Sequence, residues 1–149
     1  MEDNVEDAVK IREITLEDAE AIQDIREAIS EDDGDVNFTK IIEQQISEGT
    51  RSSLVAQING TVVGYMISTT LYAGFGMKVS AWIVAVGVHP DYMGQGIGLK
   101  LARKTCEIYK GRAVENIYSS VPWDSTDVLS FFKKLGFERS EFINIKKKL

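Results

Sequence analysis

The chain has 149 residues, 44% of them hydrophobic and 27% charged, so a single globular domain over 1–149 with a substantial core is expected. The net charge of −6 argues against a nucleic-acid partner held by a broad basic surface. One cysteine, Cys106, and one histidine, His89, exclude an intramolecular disulfide framework and a zinc-type cluster, so no metal is expected.

In chain order, the acidic opening MEDNVEDAVK has no apolar run. It reads as neither a secretory signal nor a transit peptide, and residues 1–7 are expected to be flexible. No stretch of about 18 residues is apolar enough to span a membrane, so a cytoplasmic protein without a membrane partner is expected. Val9, Ile11 and Ile14 suggest a short edge strand. Thr15 and Asp18 form a capping-box variant ahead of a helix carrying Ile22, Ile25 and Ile29 on one face. The acidic run Glu31, Asp32, Asp33 and Asp35 follows, then a second helical pattern of Phe38, Ile41, Ile42 and Ile46.

Residues 53–58 read as a strand, and Asn59-Gly60 is a two-residue hairpin signal leading into a strand over 61–71. The apolar run 79–88 shows little alternation and predicts a strand covered on both faces. Gly87 within it predicts a bulge or a close ligand approach. A helix with Ile97, Leu101, Ala102, Thr105, Ile108 and Tyr109 inward stops at Gly111. A strand over 115–121, a short helix from 126 to 135 and a last strand from Phe137 to Ile145 complete a β-α-α-β-β-β-α-β-α-β order. That order is a mixed α/β layer structure.

The stretch VAVGVHPDYMGQGIGLKLARKTC, 84–106, joins an apolar strand to a glycine turn and a helix start. Free backbone N–H groups and the helix dipole make such a place an anion site. A P-loop would need Gly-Lys-Ser/Thr, but Gly98 is followed by Leu99-Lys100-Leu101. A dinucleotide fingerprint would need G-x-G-x-x-G, and here the spacing is G-x-G-x-G.

Residues 86–98, VGVHPDYMGQGIG, together with FFKKLGF at 131–137, resemble the two hallmark motifs of the GNAT N-acetyltransferase superfamily. The resemblance covers essentially the whole chain in element order. It implies a mixed, mostly antiparallel sheet flanked by helices, with splayed central strands. It also implies acetyl-CoA as co-substrate, with its pyrophosphate on the backbone amides of Met93, Gly94, Gln95, Gly96, Ile97 and Gly98. Val86 and Val88 would pair with the pantetheine arm through their backbone, and amides near Val88 would polarise the thioester carbonyl. Ser125 matches a cofactor-contacting position of the family, and equally suits a turn or helix cap.

The implied reaction is direct attack of a primary amine, from a small molecule or a peptide or protein, on the thioester in a ternary complex. In the family the substrate enters near the segment between the first two helices, which here carries Glu31, Asp32, Asp33 and Asp35. A non-catalytic acyl-CoA-binding module is the competing reading, and a homodimer is compatible with either.

Three departures bear on chemistry. Met93 stands where the family usually has Arg or Gln. Phe132 stands where many members carry a tyrosine that protonates the leaving thiolate. The strand Ala81–Val88 has no ionisable side chain, so no catalytic acid or base is assigned. Tyr92, Tyr109 and Tyr118 are the alternative acids, and His89 beside Pro90 reads as a turn residue. Deprotonating a lysine-like amine at pH 7 costs about 4–5 kcal/mol, whereas an α-amine costs about 1–1.5 kcal/mol. A site without a dedicated base therefore suits a low-pKa amine, or works through water to a distant carboxylate.

Overall fold

The computed structural model describes residues 8–30, 36–72 and 75–149. Both residues 1–7 and the acidic cluster Glu31, Asp32, Asp33 and Asp35 lie outside the described residues. Five strands form one sheet in the order β1-β2-β3-β4-β5: β1 (Val9–Glu13), β2 (Leu54–Ile58), β3 (Thr61–Leu71), β4 (Ser80–Val88) and β5 (Ile117–Ser119). All neighbours are antiparallel except β4 and β5, which are parallel. Helices α1 (Ala19–Ile29) and α2 (Phe38–Glu48) cover one face, while α3 (Ile97–Gly111) and α4 (Thr126–Lys134) belong to the other.

Strand alternation sorts the core into these two faces. Leu54, Ala56, Val63 and Met66 pack with Ile97, Leu101 and Phe132. Val55, Tyr65 and Ile67 point the other way, to Ile22, Ile25, Phe38 and Ile42. The Asn59-Gly60 turn has φ of 49° and 80°, the doubly positive pattern that matches strand twist in a two-residue hairpin.

At the entry to α1, Asp18 serves several donors. Arg12 Nη1 and Nη2 donate to Asp18 Oδ2 and Oδ1 at 2.8 Å each, and the Thr15 N–H donates to Oδ2 at 2.7 Å. The capping box therefore closes a 3-10 turn over Leu16–Asp18 before the α-helix begins. A second polar network ties α3 to the sheet. Tyr109 Oη donates to Ser52 Oγ at 2.7 Å and lies 2.9 Å from Ser68 Oγ.

Two expectations are corrected. No strand forms over Phe137 to Ile145: the segment touches β5 through the Phe142 ring against Tyr118, and the residue after β5 through Asn144 Nδ2, which donates to Ser120 Oγ at 2.8 Å. Without a backbone ladder, its alternating apolar residues do not make a sheet strand; Ile143 and Ile145 stay exposed. Strand β4 is not covered on both faces throughout. Its first half is enclosed, but Val84 is 59% exposed.

Asp18 offers a stability test. Burial pushes its carboxyl pKa up, but the Arg12 hydrogen bonds and the Thr15 N–H outweigh this and hold it below the ordinary range. The contribution is then fully present above the unfolded value near ~3.9 and is lost as pH falls through the lower folded value. Asp18→Ala is expected to cost about 1–3 kcal/mol at neutral pH. Urea titrations at pH 7 and pH 3 should show the wild-type advantage shrinking at the lower pH.

Candidate functional site

The site begins where β4 loses a neighbour. Its parallel ladder with β5 covers only Ala81↔Ile117, Trp82↔Tyr118 and Ile83↔Ser119. Ser119 Oγ donates to the Ile83 carbonyl at 3.0 Å, and the pairing ends there. On the β3 side the register shifts at the same point: Ile67 faces Ala85, but Ser68 faces Ile83. Val84 is the extra, bulged residue. A bulge reverses which backbone groups face which neighbour. The His89 N–H donates to the Val63 carbonyl at 2.8 Å, so by alternation Gly87 and Ala85 face β3, while Val86 and Val88 turn their backbone groups to the open side. These are the two positions expected to pair with an extended ligand.

Helix α3 starts beside this open edge. It seats closely on the sheet because Gly64 has no side chain: a Cβ there would lie 3.1 Å from Ile97 Cγ2 and 3.3 Å from Leu101 Cδ1. Ahead of it, Pro90–Tyr92 forms a 3-10 turn whose Asp91 N–H donates to His89 Nδ1. This fixes His89 as a turn residue. The chain then passes through Gly94 (φ 79°) and Gly96 (φ 76°), both left-handed. Gly96 is the N-cap residue, and a Cβ at either glycine would meet nothing within 4 Å. The N–H groups of residues 94–99 find no acceptor among the described residues; the first return bond is Lys100 N–H to the Gly96 carbonyl. An open loop of uncommitted donors at the positive end of a 15-residue helix fits a phosphate-bearing ligand.

The third glycine has another purpose. A Cβ on Gly98 would lie 3.0 Å from Phe131 Cε2, so this residue lets α4 approach α3. Gly87 is explained in the same way. A Cβ there would stand 2.7 Å from Tyr65 Cε1 and 2.9 Å from Tyr65 Cζ. The bulge expected at Gly87 is at Val84, and the close approach there is by the Tyr65 ring.

Around the open edge, Met93 is exposed and Gln95 lies in the turn. Ser125 is the N-cap residue of α4, but its hydroxyl makes no capping hydrogen bond, which leaves it available to a ligand. Phe132 is 6% exposed, packed in the core with its ring 4.9 Å from that of Phe137. Of the alternative tyrosines, Tyr109 is committed to the serine network, and Tyr118 stacks on Trp82 at 5.1 Å. Tyr72 and Phe75 are exposed and line no core. Burial pushes the Cys106 thiol up, which keeps it protonated and unreactive at neutral pH. Among the described residues no His/Cys/Asp/Glu group is arranged to hold a metal, and no helix is long and apolar enough to cross a membrane. A groove of about 640 Å³ between α1 and α2, lined by Glu20, Gln23, Asp24, Asn37 and Phe38, includes no residue of β4 or of the glycine turn.

Sequence reasoning missed the Val84 bulge and the position of Tyr65. The first has no local signal within AWIVAVGV. The second is signalled only by the pairing of Tyr65 with Gly87.

Comparison with known proteins identifies the family and the fold. Residues 12–137 match the model of the Acetyltransferase (GNAT) family. An aminoglycoside acetyltransferase, meta-AAC0020, from an uncultured soil metagenomic sample superposes with a TM-score of 0.78 at 19% identity, covering 97% of this chain and 99% of that one. A ribosomal-protein-alanine N-acetyltransferase from Brucella melitensis biovar Abortus 2308 gives 0.74 at 19%, covering 95% and 99%. The aminoglycoside N-acetyltransferase AAC(6')-Iy, solved in complex with CoA, gives 0.73 at 15%, covering 94% of each chain.

Two glycine substitutions separate packing from ligand binding. Gly87→Ala drives a Cβ into the Tyr65 ring and is expected to cost roughly 1–3 kcal/mol, read by thermal unfolding. Gly96→Ala costs only about 1–2 kcal/mol of left-handed strain. Gly96→Val, with its side chain in the donor loop, should also weaken coenzyme A binding by about tenfold or more in calorimetry.

Proposed function

The chain belongs to the GNAT acetyltransferase family, and from that premise we propose that it transfers an acetyl group from acetyl-CoA to a primary amine. The observation that carries the proposal is the loop of N–H groups over 94–99 that find no acceptor among the described residues, next in the chain to the edge of β4 that β5 leaves unpaired beyond Ile83. Met93, Gly94, Gln95, Gly96, Ile97 and Gly98 hold the pyrophosphate through their backbone. The absence of Arg or Gln at Met93 removes one side-chain contact and leaves the backbone cradle. Val86 and Val88 align the pantetheine arm, and Ser125 adds a hydroxyl contact. Coenzyme A supplies the activated thioester. A cytoplasmic location is part of the reading, since a chain with one cysteine needs no oxidising compartment.

The amine attacks the thioester directly while both ligands are bound. No side chain of β4 is ionisable, so proton removal falls to water or to the amine's own equilibrium. This favours acceptors of low pKa, such as peptide N-termini or activated small-molecule amines. The leaving group is a thiol with an ordinary pKa near ~8.5, which departs tolerably without an acid. Glu31, Asp32, Asp33 and Asp35 supply negative charge for a cationic acceptor.

A second reading, an acyl-CoA-binding module without turnover, is favoured by one observation: the position that would carry the acid is a phenylalanine buried in the core. Thermal shift with coenzyme A and acetyl-CoA, followed by thiol release against a panel of amines and peptide N-termini, separates the two. Stabilisation with turnover supports the transferase. Tight cofactor binding with no thiol release from any acceptor supports the module. For the transferase, kcat/KM should rise with pH and level off near the acceptor's own pKa, about 7.7–8.0 for an α-amine.

A further inference from the structure

Tyr65 is on β3, directly opposite Gly87. The ring atoms nearest to the missing Cβ of Gly87 are Cε1 and Cζ, so it is the far end of the ring that reaches across β4. The hydroxyl is one bond beyond Cζ. It therefore sits over Gly87, between the two residues, Val86 and Val88, whose backbone groups face the open edge. It is on the α1 side of the sheet, where Ile29 Cδ1 approaches to 3.0 Å of the same Cβ position. This is the end of α1, from which the chain leads to Glu31.

The residue is 3% exposed, and its ring packs edge-on against Phe38 at 5.9 Å. Its hydroxyl has no hydrogen-bond partner among the described residues. Packing alone does not call for it, since a phenylalanine would fill the same space without leaving a polar group unpaired. Burial pushes the phenol up and outweighs the nearby Arg26 guanidinium, which lowers it, so the phenol is protonated at neutral pH, able both to accept and to donate a hydrogen bond.

Resting on the transferase reading, we propose that the Tyr65 hydroxyl is a contact for the acceptor amine, taking a hydrogen bond from it and holding it over Gly87 for attack on the thioester. Tyr65 gives up no proton in this role. It is a positioning residue on the acceptor side of β4, distinct from the coenzyme A cradle.

The test is Tyr65→Phe in the full chain, with an amine that the wild type acetylates. Thermal stability should be unchanged or higher, because an unpaired hydroxyl is removed. The coenzyme A dissociation constant should stay within about twofold, while kcat/KM for the amine falls by about tenfold or more, mainly through KM. A kcat/KM within about twofold of wild type overturns the inference. So does a fall in activity that is matched by lost stability or lost coenzyme A affinity. If the wild type acetylates no amine, the transferase reading fails and this inference fails with it; an active wild type with an equally active variant removes only the role of Tyr65.

Discussion

The site depends on a single break in hydrogen bonding. Strand β4 is paired on both sides up to Ile83 and on one side only beyond it. Backbone groups in a sheet are strong obligatory partners, so an unpaired strand edge inside a fold is a demand for something to pair with. The Val84 bulge decides which groups make that demand, by turning Val86 and Val88 outward. Gly64 lets α3 settle on the sheet, which sets the donor loop at the end of the same edge. One strand irregularity and one glycine thus place a linear acceptor of hydrogen bonds and an anion cradle in series. That is the shape of an extended molecule with a phosphate-bearing part.

Much of this was legible in the sequence because the signals are local. Asn59-Gly60, the turn after Pro90, and the apolar stripes of the helices each specify their own conformation within a few residues. The strand over 61–71 and the helix ending at Gly111 are found where the patterns put them. What was not legible depends on partners distant in the chain. Gly87 is a glycine because of Tyr65, and Gly98 because of Phe131; neither reason is visible in the flanking residues. The terminal segment carries Phe142, Ile143 and Ile145 in a strand-like composition, but strand formation needs a ladder, and the three residues of β5 do not supply one. The bulge is a property of register, which is fixed between strands.

The chemistry divides along the same line. On the proposed reading, backbone geometry supplies alignment and charge stabilisation, and these survive side-chain replacement. Proton transfer needs particular side chains, and Phe132 and the apolar β4 do not provide them. On the proposed transferase reading, a β4 without an ionisable side chain shifts discrimination among acceptors from the protein's own titration to that of the substrate. An amine already neutral at working pH gains the full benefit of being held in place; a strongly basic one does not.

The short ladder between β4 and β5 has a kinetic consequence. Strands β1 to β4 are joined antiparallel in sequence order, whereas β5 reaches β4 only after the α3 crossover, through three paired positions. Closing that crossover carries a loop entropy that few contacts offset. With three paired positions against five to eight between the other neighbours, β5 is the most weakly laddered strand of the sheet. Local opening there, short of global unfolding, would register as faster amide exchange in β5 than in β3. A molecule bound along the open edge of β4, next to β5, would slow that exchange.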